Sequence, residues 1–356
     1  DPLRLSVLGA GKQLLGDVRY MLCTGERRCR ETHLPTVSII IAAYNEEDVI
    51  ENTLRKCLDL DYPADRLEII VGSVGSNART VMIARRIEDE RLQVLNFDQR
   101  RGKVSVISDC AEHAQGDVLV FTDANTSLRN DSVRKLVRHF QNPSVGAVCG
   151  QLRLLPAGEG QKESFYWRYE VVLKILESRL GAVLGANGAI YALRRELFPA
   201  VSRDLITEDF VIPLKLRAKG LKTVYDPEAM AYEEAAPSTG SEFRRRVRIG
   251  AGNWQALRHC ASLLMPWKGF ISLAFWSHKV LRWITPFSLS LALITNAFLI
   301  QIPFWRGVFL AQLGFYAAAT LGWLLRKLRL PAGPLAVAEY FVGINIALAF
   351  GMLRGV

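Results

Sequence analysis

The stretch Val37-Ser38-Ile39-Ile40-Ile41-Ala42-Ala43-Tyr44-Asn45-Glu46 decides how this chain folds. Seven apolar or small residues stop at a polar corner, and a helical stretch from Glu46 to Asp59 follows. The alternation repeats with apolar runs at Leu67 to Gly72 and Val118 to Phe121, and with a helix near Asn77 to Glu90. Short apolar runs separated by helical ones predict parallel strands joined by crossover helices, an α/β sheet. Ligands of such sheets sit beyond the carboxyl ends of the strands. The candidates are therefore Tyr44-Asn45-Glu46, Ser73-Val74-Gly75-Ser76 and Asp123-Ala124-Asn125.

After Gly150 the alternation breaks into a helix around Phe165 to Ser178, a glycine-punctuated stretch from Gly181 to Ala192 and a helix from Thr207 to Lys219, which predicts a second half with a different task. Ahead of the sheet, residues 1–35 hold a weakly amphipathic stretch (Leu3, Leu5, Val7, Leu8) and a basic linker ending at Pro35. It reads as a helix lying on lipid or protein.

The chain has 356 residues, half of them apolar, enough for one large or two modest domains. Trp283 to Trp305 and Gly307 to Leu325 contain no charge, and Leu330 to Leu353 contains only Glu339. Three successive runs of this kind have no amphipathic partner to bury them, so three membrane spans are expected over residues 283–356. Lys268, Lys279, Arg282 and the Arg326 to Arg329 cluster flank them, which places the region before Trp283 on the cytosolic side of a multi-pass protein of the inner or plasma membrane. Trp254, Trp267, Trp276 and Trp283 among basic residues suit interfacial helices over residues 254–282, with ordinary core tryptophans as the alternative.

The net charge of +10 gathers near the spans without the aromatic interleaving of a base-stacking surface. Membrane lipids and substrate phosphates explain it better than nucleic acid. The six cysteines lack metal-type spacing and suit reduced thiols. The chain begins at Asp1, so a preceding segment with room for a further span is expected, and no signal peptide is visible.

Three motifs carry chemistry. Asp123 and Asn125 place a carboxylate and an amide two residues apart after a strand, where both oxygens can face one hard cation, although Asp-x-Asn is also a common turn. Thr207-Glu208-Asp209 opens a helix with two carboxylates, as a catalytic pair or as an ordinary N-cap with acids in the first turn. Arg245 and Arg248 share one face of a helix and suit either a substrate phosphate or lipid headgroups. A dinucleotide-binding sheet is disfavoured, because Tyr44-Asn45-Glu46 stands where a glycine-rich phosphate loop would be.

In order and approximate spacing, Val37 to Glu46, Gly102-Lys103, Asp123-Ala124-Asn125, Thr207-Glu208-Asp209 and Arg245-x-x-Arg248 resemble the family 2 glycosyltransferases, and within them the membrane-bound branch of hyaluronan, chitin and cellulose synthases and ceramide glucosyltransferase. The resemblance covers about residues 36–255. It implies a cytosolic GT-A domain over residues 36–253 and inverting transfer from a nucleotide-sugar donor, a UDP-sugar first, to a lipid or glycan acceptor met by the second half. It also implies a Mg or Mn ion held by Asp123, with Asn125 as a neutral second ligand. Ala43, Tyr44 and Glu46 would line the nucleoside pocket, Lys103 would lie near the nucleotide, and Arg245 and Arg248 would close over the diphosphate. Asp209 would be the catalytic base, with Glu208 beside it raising its basicity while pointing away.

Three departures stand out. Val74 replaces the Asp of the second-strand turn and cannot accept a hydrogen bond from a base, Ala78 replaces a following acid, and Ile249 follows Arg248 where processive relatives have Trp. They lead to an expected product with one or a few added sugars. They also keep open an alternative, a transferase-like membrane scaffold with impaired donor binding.

Overall fold

The computed structural model describes residues 34–75, 78–97, 99, 101–155, 165–181, 183–234 and 239–355. The amphipathic segment expected ahead of the sheet, Ser76 and Asn77 of the second-strand turn, and the side chains of Val74 and Ala78 fall outside that description. Strand β1 (Val37–Ala43) buries Ile39, Ile40 and Ile41 alike, so both of its faces are covered, as an inner parallel strand requires. Helix α1 (Ile50–Leu58) turns Ile50, Thr53, Leu54 and Cys57 inward at three- and four-residue spacing, while Glu51 and Arg55 pair at 2.8 Å on the outer side. It begins later than the sequence pattern predicts because the Glu46 carbonyl accepts the N–H groups of Val49 and Ile50, which makes Glu46 part of a turn.

The alternation continues through β2 (Leu67–Val74), α2 (Ala78–Arg85), β3 (Leu92–Phe97), α3 (Lys103–His113) and β4 (Val118–Asp123). The second half adds β5 (Ser127–Leu128), α4 (Ser132–Val137), β6 (Val145–Leu155), α5 (Phe165–Arg179), β7 (Tyr191–Arg194), α6 (Glu208–Ala218) and β8 (Lys222–Glu234). All eight strands join one sheet in the order β3-β2-β1-β4-β7-β6-β8-β5. The first four run parallel, β7 opposes both β4 and β6, and β8 runs parallel to β6. The sheet is mixed and mostly parallel, as the sequence pattern predicts. Ile40, Ile70, Leu119, Phe121, Tyr191 and Ile212 form the centre of its core across both halves. Strand β3 escapes sequence reading because it is a half-buried edge strand without a clean apolar run.

Five helices follow: α7 (Thr239–His259), α8 (Phe270–Ala274), α9 (Leu281–Phe298), α10 (Pro303–Lys327) and α11 (Leu335–Arg354), with a π-helical turn, Phe275–Val280, joining α8 to α9. Among the described residues, α10 and α11 are long and apolar enough to cross a membrane. Three spans are expected over residues 283–356, and two of the helices found there meet that measure. The run from Trp283 to Trp305 is not one helix, since α9 stops at Phe298 and α10 starts only at Pro303. Helix α9 carries Arg282, Pro286 and Asn296, and Trp283 is buried against Phe210 and Phe275 in an aromatic cluster beside the sheet domain.

Helix α7 is locked to α11 at a crossing of small residues. A Cβ on Gly250 would lie 2.7 Å from the Leu348 carbonyl oxygen and 3.0 Å from the Gly351 Cα, both backbone atoms that cannot move aside cheaply. Gly250→Ala should destabilise the protein by about 1–3 kcal/mol, the usual cost of overpacking. Thermal unfolding in detergent checks this, and an unchanged melting temperature would mean that the two helices do not cross so closely.

Candidate active site

Parallel register assembles the first side of the site. Ala42 pairs with Asp123 and Ala43 with Ser73, so the carboxyl ends of β1, β2 and β4 lie side by side. Ala43 is buried at the end of its strand, Tyr44 is exposed, and the Glu46 N–H donates to Thr80 Oγ1 at 3.1 Å, tying the corner to α2. Thr53 Oγ1 donates to the Ala124 carbonyl at 2.7 Å, and Thr122 Oγ1 donates to the Ala189 carbonyl at 2.8 Å. The Asp123 loop is thereby anchored from α1 and from the glycine-punctuated stretch of the second half.

Lys103 opens α3 after Gly102, whose φ of 84° is a conformation that disfavours any side chain. Its Nζ lies 2.7 Å from Asp123 Oδ1 and 2.8 Å from Glu208 Oε1, so one ammonium joins the end of β4 to the start of α6. Burial alone would lower the Lys103 pKa, but Glu208 and Asp123 outweigh it and hold the group firmly charged. Glu208 is buried and turned inward, which corrects the expectation that it points away. As the first residue of α6 it can reach the cleft that its neighbour also faces.

Asp209 Oδ2 accepts the Gly188 N–H at 3.0 Å, and its carbonyl accepts the Ala186 N–H at 2.8 Å. Burial first, then the charge of Glu208, push the Asp209 carboxyl up to about 6, against a lowering pull from Lys103. Thr207 takes the N-cap position of α6 but makes no capping bond. Its hydroxyl donates instead to the Gly252 carbonyl at 3.3 Å, where a Cβ on Gly252 would lie 2.5 Å from Thr207 Cγ2. The carboxylate motif and the arginine helix α7 are thus in direct contact.

Asn125 Nδ2 donates to Glu233 Oε1 at 3.0 Å. Glu233 stands near the end of β8, where Tyr232 pairs with Ser127, and burial and Asp123 raise its pKa. Glu46 is raised by burial and then by Asp123. Arg245 and Arg248 are exposed on α7, with Arg245 close enough to Glu233 to lower its pKa. The structure therefore brings Glu46, Lys103, Asp123, Asn125, Glu208 and Asp209 together, with Arg245 at the rim. Sequence reading misses Glu233. Its signal is a carboxylate at the carboxyl end of a strand, obscured by the acids and by Pro227 that break up the apolar pattern of β8.

Five carboxylates around one lysine leave the cleft short of positive charge, which fits a divalent cation. Asp123 and the amide oxygen of Asn125 are the groups suited to hold it. Among the described residues no three His, Cys, Asp or Glu side chains form a complete ligand set, so phosphate oxygens and water would have to complete the shell.

Residues 38–198 match the family described as Glycosyl transferase family 2. A poly-beta-1,6-N-acetyl-D-glucosamine synthase of Staphylococcus aureus strain MSSA476 is 27% identical over 237 residues, 63% of this chain and 56% of the relative. The Staphylococcus epidermidis synthase is 25% identical over 234 residues, 62% of this chain and 55% of the relative. The chain thus spans about half the length of the curated relatives it matches. In three dimensions it is similar to a mannosyltransferase from Pyrobaculum calidifontis in complex with GDP-Man and Mn2+, with a TM-score of 0.64 and 21% identity over 98% of this chain and 95% of that one. That likeness bears on the fold, which is of GT-A type.

The raised Asp209 pKa has a measurable sign. The folded protein holds this proton more tightly than an unfolded chain with the ordinary value of 3.8, so the contribution to stability is full below 3.8 and is lost as pH rises through about 6. The stability difference between wild type and Asp209→Asn should therefore move against the wild type across that window. Melting curves at several pH values test it, and a difference that does not vary with pH would contradict the assignment.

Proposed function

We propose that this chain, which carries a glycosyl transferase family 2 domain, transfers sugar from a nucleotide-sugar donor to a glycan or lipid acceptor at a membrane surface, with inversion at the anomeric carbon. The observation that carries the reading is the division of labour among the carboxylates. Asp123 and Glu208 are bound to Lys103, whereas Asp209 is left with a pKa of about 6, suited to accept a proton near neutral pH.

Asp209 takes the proton of the acceptor hydroxyl as its oxygen forms the new bond to the anomeric carbon. The bond from that carbon to the diphosphate oxygen breaks on the opposite side, and the electron pair leaves with the nucleoside diphosphate. Lys103 and Arg245, with Arg248 one turn further along α7, would meet the charge developing on that leaving group. A bound Mg or Mn ion, held through Asp123 and Asn125, would supply further neutralisation of the diphosphate. Ala43, Tyr44 and Glu46 form the nucleoside side of the cleft, with a UDP-sugar as the donor favoured by the sequence resemblance.

Membrane association is supported by α10 and α11 and by the exposed apolar side chains along them, among them Phe304, Leu310, Trp323 and Phe350. The names of the curated relatives favour a polymer product. Ile249 after Arg248 favours one or a few additions, and the length distribution of the product from purified protein separates the two.

Turnover and donor affinity, measured together, test the assignment. Asp209→Asn should lose roughly 10² to 10⁴ in turnover while keeping donor affinity within about threefold, a change under 1 kcal/mol. Asp123→Ala should instead lose metal-stimulated donor binding. Normal turnover in Asp209→Asn would overturn its role as the base.

A further inference from the structure

Away from the carboxylate cleft, α7, α10 and α11 enclose a groove of about 730 Å³, within the roughly 300–1,000 Å³ of ordinary ligand pockets. Its walls are apolar, from Phe243 on α7, Ala319 and Trp323 on α10, and Tyr340, Ile346 and Ala347 on α11. Three cations also line it: Arg246 from α7, and Arg326 and Lys327 from the last turn of α10. Among the described lining residues the one carboxylate, Glu339, is buried and paired with Arg326. Lys327 stacks its ammonium 5.3 Å from the Trp323 ring centre, at the junction of the apolar wall and the charged end.

A cavity that is apolar along two candidate membrane helices and positive where one of them ends matches an amphiphile with a hydrocarbon chain and an anionic head. Helical geometry separates this groove from the donor side. Phe243, Val247, Gly250, Ala251 and Trp254 lie on one stripe of α7, the stripe that meets α11 at Gly250 and Gly351. Arg246 borders that stripe on the groove side, about a third of a turn away from the face shared by Arg245 and Arg248. An anion held by Arg246 is therefore turned away from the donor cleft, which suits a resident lipid and not a reacting acceptor.

We propose that the groove between α7, α10 and α11 binds one anionic glycerophospholipid of the bilayer, its phosphate held by Arg246 and Lys327 and its acyl chain lying against Trp323, Tyr340 and Ile346. The bound lipid fixes the tilt of α7 against α11, and through α7 it sets where Arg245 and Arg248 stand. The inference rests on the membrane reading of α10 and α11 but not on the transfer chemistry.

Native mass spectrometry of the full chain released from nanodiscs of mixed phosphatidylglycerol and phosphatidylcholine tests it. One phosphatidylglycerol per chain should survive release, and the double variant Arg246→Gln, Lys327→Gln should retain it at least tenfold less. Wild-type melting temperature should also rise from phosphatidylcholine to phosphatidylglycerol discs, a readout that needs no variant to fold. Equal retention of both lipids, retention unaffected by the double variant, displacement by a polyprenyl phosphate at equal concentration, or a mass showing a second copy in place of lipid would each overturn the proposal. A chain that fails to enter the discs at all would overturn the membrane reading and this inference with it. Loss of transfer activity with lipid still bound would count against the proposed function alone.

Discussion

The ammonium of Lys103 is the interaction on which the rest of the site depends. A helix N-terminus is a poor place for a lysine, since the backbone dipole there repels a cation by about 0.3–1 kcal/mol. The position makes sense only with carboxylates facing it, and Asp123 and Glu208 supply them from the two halves of the sheet domain. Without that charge, Glu208 would be a buried anion beside Asp209, and the start of α6 would be pushed away from the end of β4. One side chain thus closes the cleft and sets its electrostatics.

The consequence is an asymmetry between residues adjacent in sequence. Glu208 is paired directly with Lys103, while Asp209 accepts a backbone N–H from Gly188, feels Glu208 as a repelling neighbour and is drawn down less by Lys103 than burial and Glu208 push it up. A carboxylate in that setting keeps its proton to a higher pH than usual and takes one up more readily. The contact of Thr207 with Gly252 then ties this pair to α7, and the close crossing at Gly250 ties α7 to α11. The chemistry of the cleft and the apolar helices are linked through one helix.

The sheet was legible because its strands are extreme cases: Ile39 to Ile41 and Val118 to Phe121 are apolar on both faces, and such runs can only be buried. The strand-end motifs at Asp123 and at Thr207 to Asp209 were legible for the same topological reason. What escaped depends on pairing across long sequence distance. Glu233 reaches the cleft only because β8 pairs with β5, and the inward turn of Glu208 follows from Lys103, 105 residues earlier in the chain. The helix boundary inside the uncharged run was hidden too, since the stretch from Trp283 to Trp305 divides where α9 ends at Phe298 and Pro303 opens the next helix. Trp283 illustrates the general limit: its apolar character is plain in the sequence, but only packing against Phe210 and Phe275 assigns it to the sheet domain.

The most direct test of this account is the affinity of a nucleoside diphosphate for Lys103→Met, measured by calorimetry with and without Mn2+. If Lys103 is the cation that the cleft lends to the donor, affinity should fall at least tenfold, about 1.4 kcal/mol, and added metal should restore it only in part. Nucleotide affinity equal to wild type in this variant would contradict the central role given to the Lys103 ammonium.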